Sequence, residues 1–202
     1  RKMITVKITG EERQYPQGAT YEDVANDYQQ EYENLIALAA RDGKIRELFK
    51  KMTRDCEVTF FTLKDDVGNK TYVRSATMLF LKAVFDVCGR EAAQSCRVEF
   101  AIGNGSYISP KGKLNATEEN AAKIRNRMRE LVEAKTPFLK RSYSLDNAME
   151  LFRKEGMKDK EKLFRYRRGS FVNIYEMDGY YDYYYGYMLP NAGYVKWFDV
   201  IA

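Results

Sequence analysis

Six tyrosines occupy the eight consecutive positions 180–187, in the stretch GYYDYYYGYMLPNAGYVKWF. A tyrosine ring presents an apolar face for packing and a hydroxyl for hydrogen bonding, so three uses of the run are open. Tyrosines are good strand residues, and a sheet would account for most of the six. Alternatively, Tyr184 and Tyr187 stack on a ligand or a nucleic-acid base, or the run docks a partner protein.

The chain contains no histidine. Histidine titrates near neutral pH and is the commonest ligand of transition metals, so hydrolysis that depends on it is excluded. The three cysteines, Cys56, Cys88 and Cys96, show no C-x-x-C spacing and predict neither a disulfide framework nor a zinc site. We therefore expect no metal and no cofactor in these residues, and a reducing, cytoplasmic location without membrane insertion.

Basic residues are concentrated in the segment 153–168, RKEGMKDKEKLFRYRR, which holds eight basic and three acidic residues and accounts for the whole net charge of +5. Interleaved aromatic residues make it a candidate contact for nucleic-acid phosphates. The alternative is a solvated helix face with partly compensated charge. The candidate contact residues are Arg153, Lys154, Lys158, Lys160, Lys162, Arg165, Arg167 and Arg168.

The first sixty residues predict a small unit with the order β-β-α-β-β-β. MITVKITG alternates at period two, Gly10 opens a turn, and ERQYP returns as a second strand. Thr20 then caps a helix, with Asp23 three residues later. An apolar run, an Asp42–Gly43 turn and CEVTFFTLKDD supply the remaining strands. Further on, TEENAAKIRNRMRELVEAK predicts a helix with a core stripe at Ile124, Met128, Leu131 and Val132.

Residues 1–63 resemble the TGS domain at the amino terminus of threonyl-tRNA synthetases. The shared features are the short hairpin, the P-x-G-x-T helix start in YPQGATYEDVA and the D-G-K turn in RDGKIRELFKKM. The same module begins stringent-response synthetases and certain GTPases, so it indicates a module and not a function.

Residues 64–202 resemble the second additional domain of the same synthetases, which edits mischarged tRNA. KDDVGNKTYVRSATMLFLKAVFDVCG stands where the family has a helix with His-x-x-x-His, and VEFAIGNGSYISP matches an I-G-x-G-F-Y-Y strand. DYYYGYMLP stands at the final D-x-C-x-G-P-H-x-P motif. The resemblance covers essentially the whole chain and implies an α+β fold: a small β-grasp TGS domain followed by a larger α+β editing-like domain.

The resemblance places the family's editing pocket on four positions, two on the helix and two in the last motif. The family's two histidines on the helix are replaced here by Arg74 and Met78. The cysteine and the histidine of the last motif are replaced by Tyr184 and Met188. Arginine is permanently cationic and has no lone pair to accept a proton, and methionine offers only a weak thioether acceptor. We therefore interpret the site as a relic editing pocket without catalytic residues.

The replaced histidines favour one continuation of the chain over another. Threonyl-tRNA synthetases normally keep them, whereas a second group of proteins carries the same pair of domains, without them, ahead of a uridine kinase/phosphoribulokinase-type domain. The chain also ends in the apolar run YVKWFDVIA. We therefore expect a noncatalytic front end of a bacterial nucleoside kinase, whose kinase domain, ATP and Mg²⁺ lie beyond residue 202.

Two other hypotheses stay open. The first is a tRNA- or RNA-binding module of a threonyl-tRNA synthetase-like protein, and the second is a divergent aminoacyl-tRNA hydrolase that uses other residues. The expected partners are accordingly the kinase domain in the same chain, tRNA or another RNA, or a small-molecule regulator.

Overall fold

The computed structural model describes residues 1–101, 107–111, 117–165 and 169–198, with side-chain surroundings described outside 97–101 and 107–111. The chain divides into two units. The first consists of Arg1–Arg74 and Gly186–Pro190, and the second of Ser75–Tyr185 and Asn191–Ala202. The short segment Gly186–Pro190 therefore belongs to the first unit although it lies far along the chain. A domain boundary after residue 63 remains a prediction.

The first unit contains a five-stranded mixed sheet and one α-helix. Its elements are β1 (Met3–Ile8), β2 (Glu11–Pro16), α1 (Tyr21–Tyr28), β3 (Ile36–Arg41), β4 (Lys44–Glu47) and β5 (Cys56–Thr62). The strand order is β2-β1-β5-β3-β4, with β1 parallel to β5 and the other neighbours antiparallel. The predicted order β-β-α-β-β-β is confirmed.

Local sequence explains why these elements form. Thr9 and Gly10 have φ values of 50° and 79°, the left-handed pair that closes a two-residue hairpin between β1 and β2. At the start of α1, the Thr20 side chain accepts from the Asp23 N–H while the Asp23 carboxylate accepts from the Thr20 N–H. This capping box satisfies backbone donors that the first helical turn leaves unpaired.

The core of the first unit lies between α1 and the sheet. Every second residue of β1 is buried, and so are the four helix positions spaced for one apolar face, Tyr21, Val24, Ala25 and Tyr28. The ring of Tyr28 lies 6.4 Å from that of Phe60 on β5, measured between centroids. Burial of an aromatic side chain of this size stabilises the fold by about 1.5–3 kcal/mol. The two buried tyrosines therefore contribute to the packing of α1 on the sheet.

The second unit is built from helices and two small antiparallel sheets. Its elements are α3 (Arg90–Ser95), β6 (Arg97–Ala101), β7 (Tyr107–Lys111), α4 (Glu118–Glu133), β8 (Leu139–Ser144), α5 (Leu145–Lys154), α6 (Lys158–Arg165), β9 (Phe171–Met177) and β10 (Tyr180–Asp182). The sheets have the orders β10-β9-β8 and β6-β7. The preceding helix α2 (Asp66–Cys88) contains the unit boundary.

The packing of α5 and α6 on the three-stranded sheet forms a hydrophobic core in the second unit. Its fully buried members are Ala148, Phe152, Phe164, Val172 and Ile174. In α4 the predicted stripe is confirmed for Ile124, Met128 and Leu131, which are buried, whereas Val132 is half-buried.

A buried lysine and its aspartate partner connect three parts of the second unit. Lys82, on α2, is 2% exposed; its ammonium donates to the Asp86 carboxylate at 2.6 Å and to the Asp178 carbonyl at 2.7 Å. Arg127, on α4, donates to the second oxygen of Asp86 at 2.7 Å. The Arg127 pKa is raised, chiefly by its hydrogen bonds to Asp86 and Glu130. Asp86 thus joins α2 to α4, and Lys82 joins α2 to the turn after β9.

The architecture confirms the predicted α+β fold class. Within the described residues, no helix combines the length and apolar character that a membrane span requires. Gly103 and Gly105, which belong to the predicted family strand, lie outside the described residues.

Candidate functional site

The tyrosine run begins in a strand and then leaves it. Asp178 and Gly179 have φ values of 43° and 86° and form the turn from β9 to β10. Tyr180 and Tyr181 lie in the three-residue strand β10, whereas residues 183–187 lie in no regular element. The expectation that most of the six tyrosines belong to a sheet is therefore wrong. The Asp182 carboxylate accepts the N–H of Tyr183 at 2.7 Å, and this local bond replaces further strand pairing.

Asp182 is the centre of a buried polar cluster in the second unit. It is 4% exposed, and its carboxylate accepts the Tyr180 hydroxyl at 2.8 Å and the Tyr184 hydroxyl at 3.2 Å. The Lys160 ammonium lies 3.3 Å from its other oxygen. The four donors compensate the burial of the charge. Burial, followed by the Asp182 charge, raises the Tyr180 pKa well above its ordinary value, so this phenol remains a donor at neutral pH.

Arg74 lies against the last motif within the first unit. Its guanidinium donates to the Tyr187 carbonyl at 2.7 Å, and the next residue, Met188, donates its N–H to the Glu47 carboxylate at 2.9 Å. Glu47 is 2% exposed and Met188 is fully buried. The segment Gly186–Pro190 is thus fastened by one arginine of α2 and one glutamate of β4.

Gly186 provides the room that the Arg74 guanidinium occupies. Its φ is +140°, and a Cβ built on it would collide with the central carbon and both terminal nitrogens of Arg74. We therefore expect Gly186→Ala to lower the free energy of unfolding by about 1–3 kcal/mol, from backbone strain and displacement of the guanidinium. Urea denaturation would measure the loss.

Gly179→Ala is the matched control, because Gly179 also has a positive φ but a Cβ there meets nothing within 4 Å. It should show the strain alone. In the Arg74→Ala background, Gly186→Ala should lose the part of its cost that comes from the collision. Equal losses for Gly186→Ala and Gly179→Ala would contradict the packing described here.

The four relic-pocket positions fall into two sets. Arg74 and Met188 belong to the first unit, and Met78 and Tyr184 to the second. Met78 is fully buried on α2, and the Tyr184 hydroxyl contacts Asp182. Arg74 has no acceptor and the two methionines have only thioethers, so none of these three can take a proton from water. The structure does not test their assignment as a former pocket, which remains a prediction.

The basic segment is partly neutralised. Arg153 donates to Glu161 at 2.8 Å, Arg165 lies 3.6 Å from the same carboxylate, and Lys160 pairs with Asp182. The pKa of Glu161 is lowered, chiefly by its hydrogen bond from Arg153. Among the described residues, Lys154, Lys158 and Lys162 are exposed and form no ion pair. Arg167 and Arg168 lie outside the described residues. Three lysines are therefore available for a phosphate contact.

Sequence reasoning missed Asp182 and Glu47. Asp182 is the one acidic residue among the tyrosines of 180–187, and a carboxylate surrounded by phenols is expected to accept their hydroxyl protons. That signal could have identified the cluster. Glu47 gave no such signal, since its bond to Met188 spans 141 positions. In the described part of the chain, no group of three or more His, Cys, Asp or Glu side chains is placed so that it could hold a metal ion.

Comparisons with known proteins point to one group. No protein-family model matches the chain. It is 28% identical over 208 residues to the threonine-tRNA ligase of Thermotoga neapolitana, covering 100% of this chain and 31% of that protein. It is 24% identical over 200 residues to that of Porphyromonas gingivalis, and 26% identical over 193 residues to that of Maricaulis maris; both matches cover 95% of this chain and 30% of the relative.

The chain spans about a third of the length of these relatives. Since the similarity extends along essentially all of its residues, it is homologous to the N-terminal region of threonyl-tRNA synthetases.

Proposed function

We propose that this chain is a tRNA- or RNA-binding module of a threonyl-tRNA synthetase-like protein and performs no hydrolysis of its own. The observation that carries the proposal is the similarity of the entire chain to proteins named for threonine and tRNA. Because a shared fold does not determine chemistry, we assign to this chain the contact with RNA and not the reaction of those relatives.

Arg74 supports the absence of hydrolysis. Where the resemblance places a histidine, a guanidinium donates to the Tyr187 carbonyl and fills the space beside Gly186. A guanidinium neither accepts a proton nor activates a water molecule as a general base. The side chain therefore supports the backbone at a position where a hydrolase would need a proton acceptor.

The exposed lysines supply the electrostatic part of binding. Lys154 lies at the end of α5, and Lys158 and Lys162 lie on α6. Contacts between lysines and phosphates release counterions, so affinity falls as salt rises. With three phosphate contacts, affinity should fall roughly 20- to 40-fold between about 50 mM and about 200 mM salt.

The test is fluorescence anisotropy with unacylated tRNA at both salt concentrations. The triple variant Lys154→Glu/Lys158→Glu/Lys162→Glu should bind more weakly and show a flatter salt dependence. Lys123→Glu is the control, since Lys123 is an exposed lysine of α4 that pairs with Glu119. If the triple variant binds as wild type does, the basic segment is not the contact; if wild type shows no salt-sensitive binding, the function itself is wrong.

Hydrolysis is tested separately with aminoacyl-tRNA. We expect the purified chain to release no amino acid above the buffer rate. Release that depends on the protein would contradict the noncatalytic assignment and would favour a divergent hydrolase.

A second candidate is an accessory region of an ATP-dependent nucleoside kinase. The replacement of all four pocket positions by Arg74, Met78, Tyr184 and Met188 favours it. In that case ATP, Mg²⁺ and the nucleoside belong to a further domain of the parent protein, and this region serves regulation or assembly. Transfer of phosphate from ATP to uridine by the parent protein would support this candidate, and a parent that charges tRNA with threonine instead would eliminate it.

A further inference from the structure

One aromatic ring projects from the tyrosine run. Tyr185 is 87% exposed, more than any other large hydrophobic side chain in the described part of the chain, where Phe171 follows at 66%. Tyrosine ordinarily buries most of its ring because the apolar face gains free energy by leaving water. A ring held almost fully in solvent is therefore a candidate contact for a flat ligand group.

The backbone that leads to this ring is held in place. The Asp182 carboxylate accepts the Tyr183 N–H, and it also accepts the hydroxyl of Tyr184, the residue directly before Tyr185. Asp182 is itself buried and bonded to Tyr180. Because its neighbours are fixed, the ring loses little backbone entropy when a ligand stacks on it.

A lysine pairs with the same Asp182 carboxylate. The Lys160 ammonium lies 3.3 Å from Asp182, and its side chain remains 33% exposed. A cleft of about 200 Å³ opens beside it, lined by Gln94, Gly156, Met157, Lys158, Asp159 and Lys160. Lys160 is neutralised by Asp182, whereas Lys158 is exposed and forms no ion pair within the described residues. Its ammonium is therefore available to an anionic group at this cleft.

We propose that Tyr185 stacks on one unpaired base of a bound RNA strand and that Lys158 holds an adjacent phosphate. The inference rests on the proposed RNA-binding function and names the contact. Aromatic stacking is tolerant of base identity, and lysines recognise phosphate without reading sequence. The site therefore selects single-stranded RNA over a duplex, whose bases are already stacked.

The test uses the full 202-residue chain and an unstructured RNA oligonucleotide that carries 2-aminopurine. Wild type should bind it and quench the 2-aminopurine fluorescence, as a stacked base does. Tyr185→Ala should bind about tenfold more weakly and lose the quenching, whereas Tyr185→Phe should keep both. Lys158→Glu should weaken binding and reduce the salt slope by about one, without abolishing the quenching.

Phe171→Ala is the matched control, since Phe171 is also a highly exposed aromatic residue of the second unit. It should bind and quench as wild type does. Salt-sensitive RNA binding that is equal in wild type and Tyr185→Ala overturns this inference and leaves the proposed function standing. If wild type binds neither the oligonucleotide nor tRNA, both fall, and Tyr185 becomes a candidate for contact with a protein.

Discussion

Lys82→Met is expected to lower the free energy of unfolding by about 3 kcal/mol. Lys82 is 2% exposed, and its ammonium donates to Asp86 and to the Asp178 carbonyl. Methionine keeps most of the volume but leaves both oxygens without this donor, and the Asp86 charge then depends on Arg127. Urea denaturation at neutral pH would measure the loss.

Lys70→Met on the same helix is the matched control. Lys70 pairs with Asp66 at 2.9 Å with the same i,i+4 spacing, but the side chains are 66% and 84% exposed. An exposed pair of this kind contributes about 0.3–0.5 kcal/mol. The two ion pairs share their spacing and differ in burial. Similar losses of unfolding free energy in both variants would show that the buried Lys82 pair stabilises the protein no more than an exposed pair does.

Asp182→Ala is expected to destabilise the second unit by about 3–5 kcal/mol. The substitution leaves the hydroxyls of Tyr180 and Tyr184, the Tyr183 N–H and the Lys160 ammonium without their shared acceptor. Asp182→Asn should lose less stability than Asp182→Ala, because the amide oxygen still accepts hydrogen bonds. It should still lose some stability, because the NH₂ group of asparagine faces other donors. Thermal and urea denaturation would rank the variants.

Asp146→Ala controls for loss of an aspartate in general, since Asp146 is exposed in the first turn of α5. Its cost should be limited to the favourable interaction with the helix N-terminus, about 0.3–1 kcal/mol. If Asp182→Ala costs no more than this control, the buried cluster does not stabilise the unit as described.

The fold of the first unit was largely predictable because its signals are local. The alternation in β1, the Thr9–Gly10 and Asp42–Gly43 turns and the pairing of Thr20 with Asp23 each act within a few residues. Such features are determined by the sterics and hydrogen bonding of neighbouring residues. The structure accordingly confirms each of them.

The end of the tyrosine run was not predictable from strand propensity. Tyr183, Tyr184 and Tyr185 are good strand formers, yet they follow a residue whose side chain captures the next N–H. Propensity records the average preference of a residue and omits this competing bond. The same limit applies to Lys82, which lies inside the apolar run MLFLKAVF. Its acceptor on another element, the Asp178 carbonyl, is brought close only by tertiary packing.

The candidate site was predictable in residue type but not in arrangement. The absence of histidine excluded a class of chemistry from composition alone. The sequence offered Tyr184 and Tyr187 as stacking rings, which stays a prediction. The structure adds that the Tyr184 hydroxyl bonds to Asp182 and that the next ring, Tyr185, is exposed. Such a distinction depends on which of several adjacent rings finds a buried acceptor.

The bond between Glu47 and Met188 affects the order in which the first unit is completed during synthesis. The five strands and the helix α1 of the first unit are all synthesised once residue 62 has left the ribosome. The segment Gly186–Pro190 emerges more than a hundred residues later. Domains generally fold in the order in which they are made. The Glu47 carboxylate of the nascent sheet therefore has no bond to Met188 until residue 188 has been made.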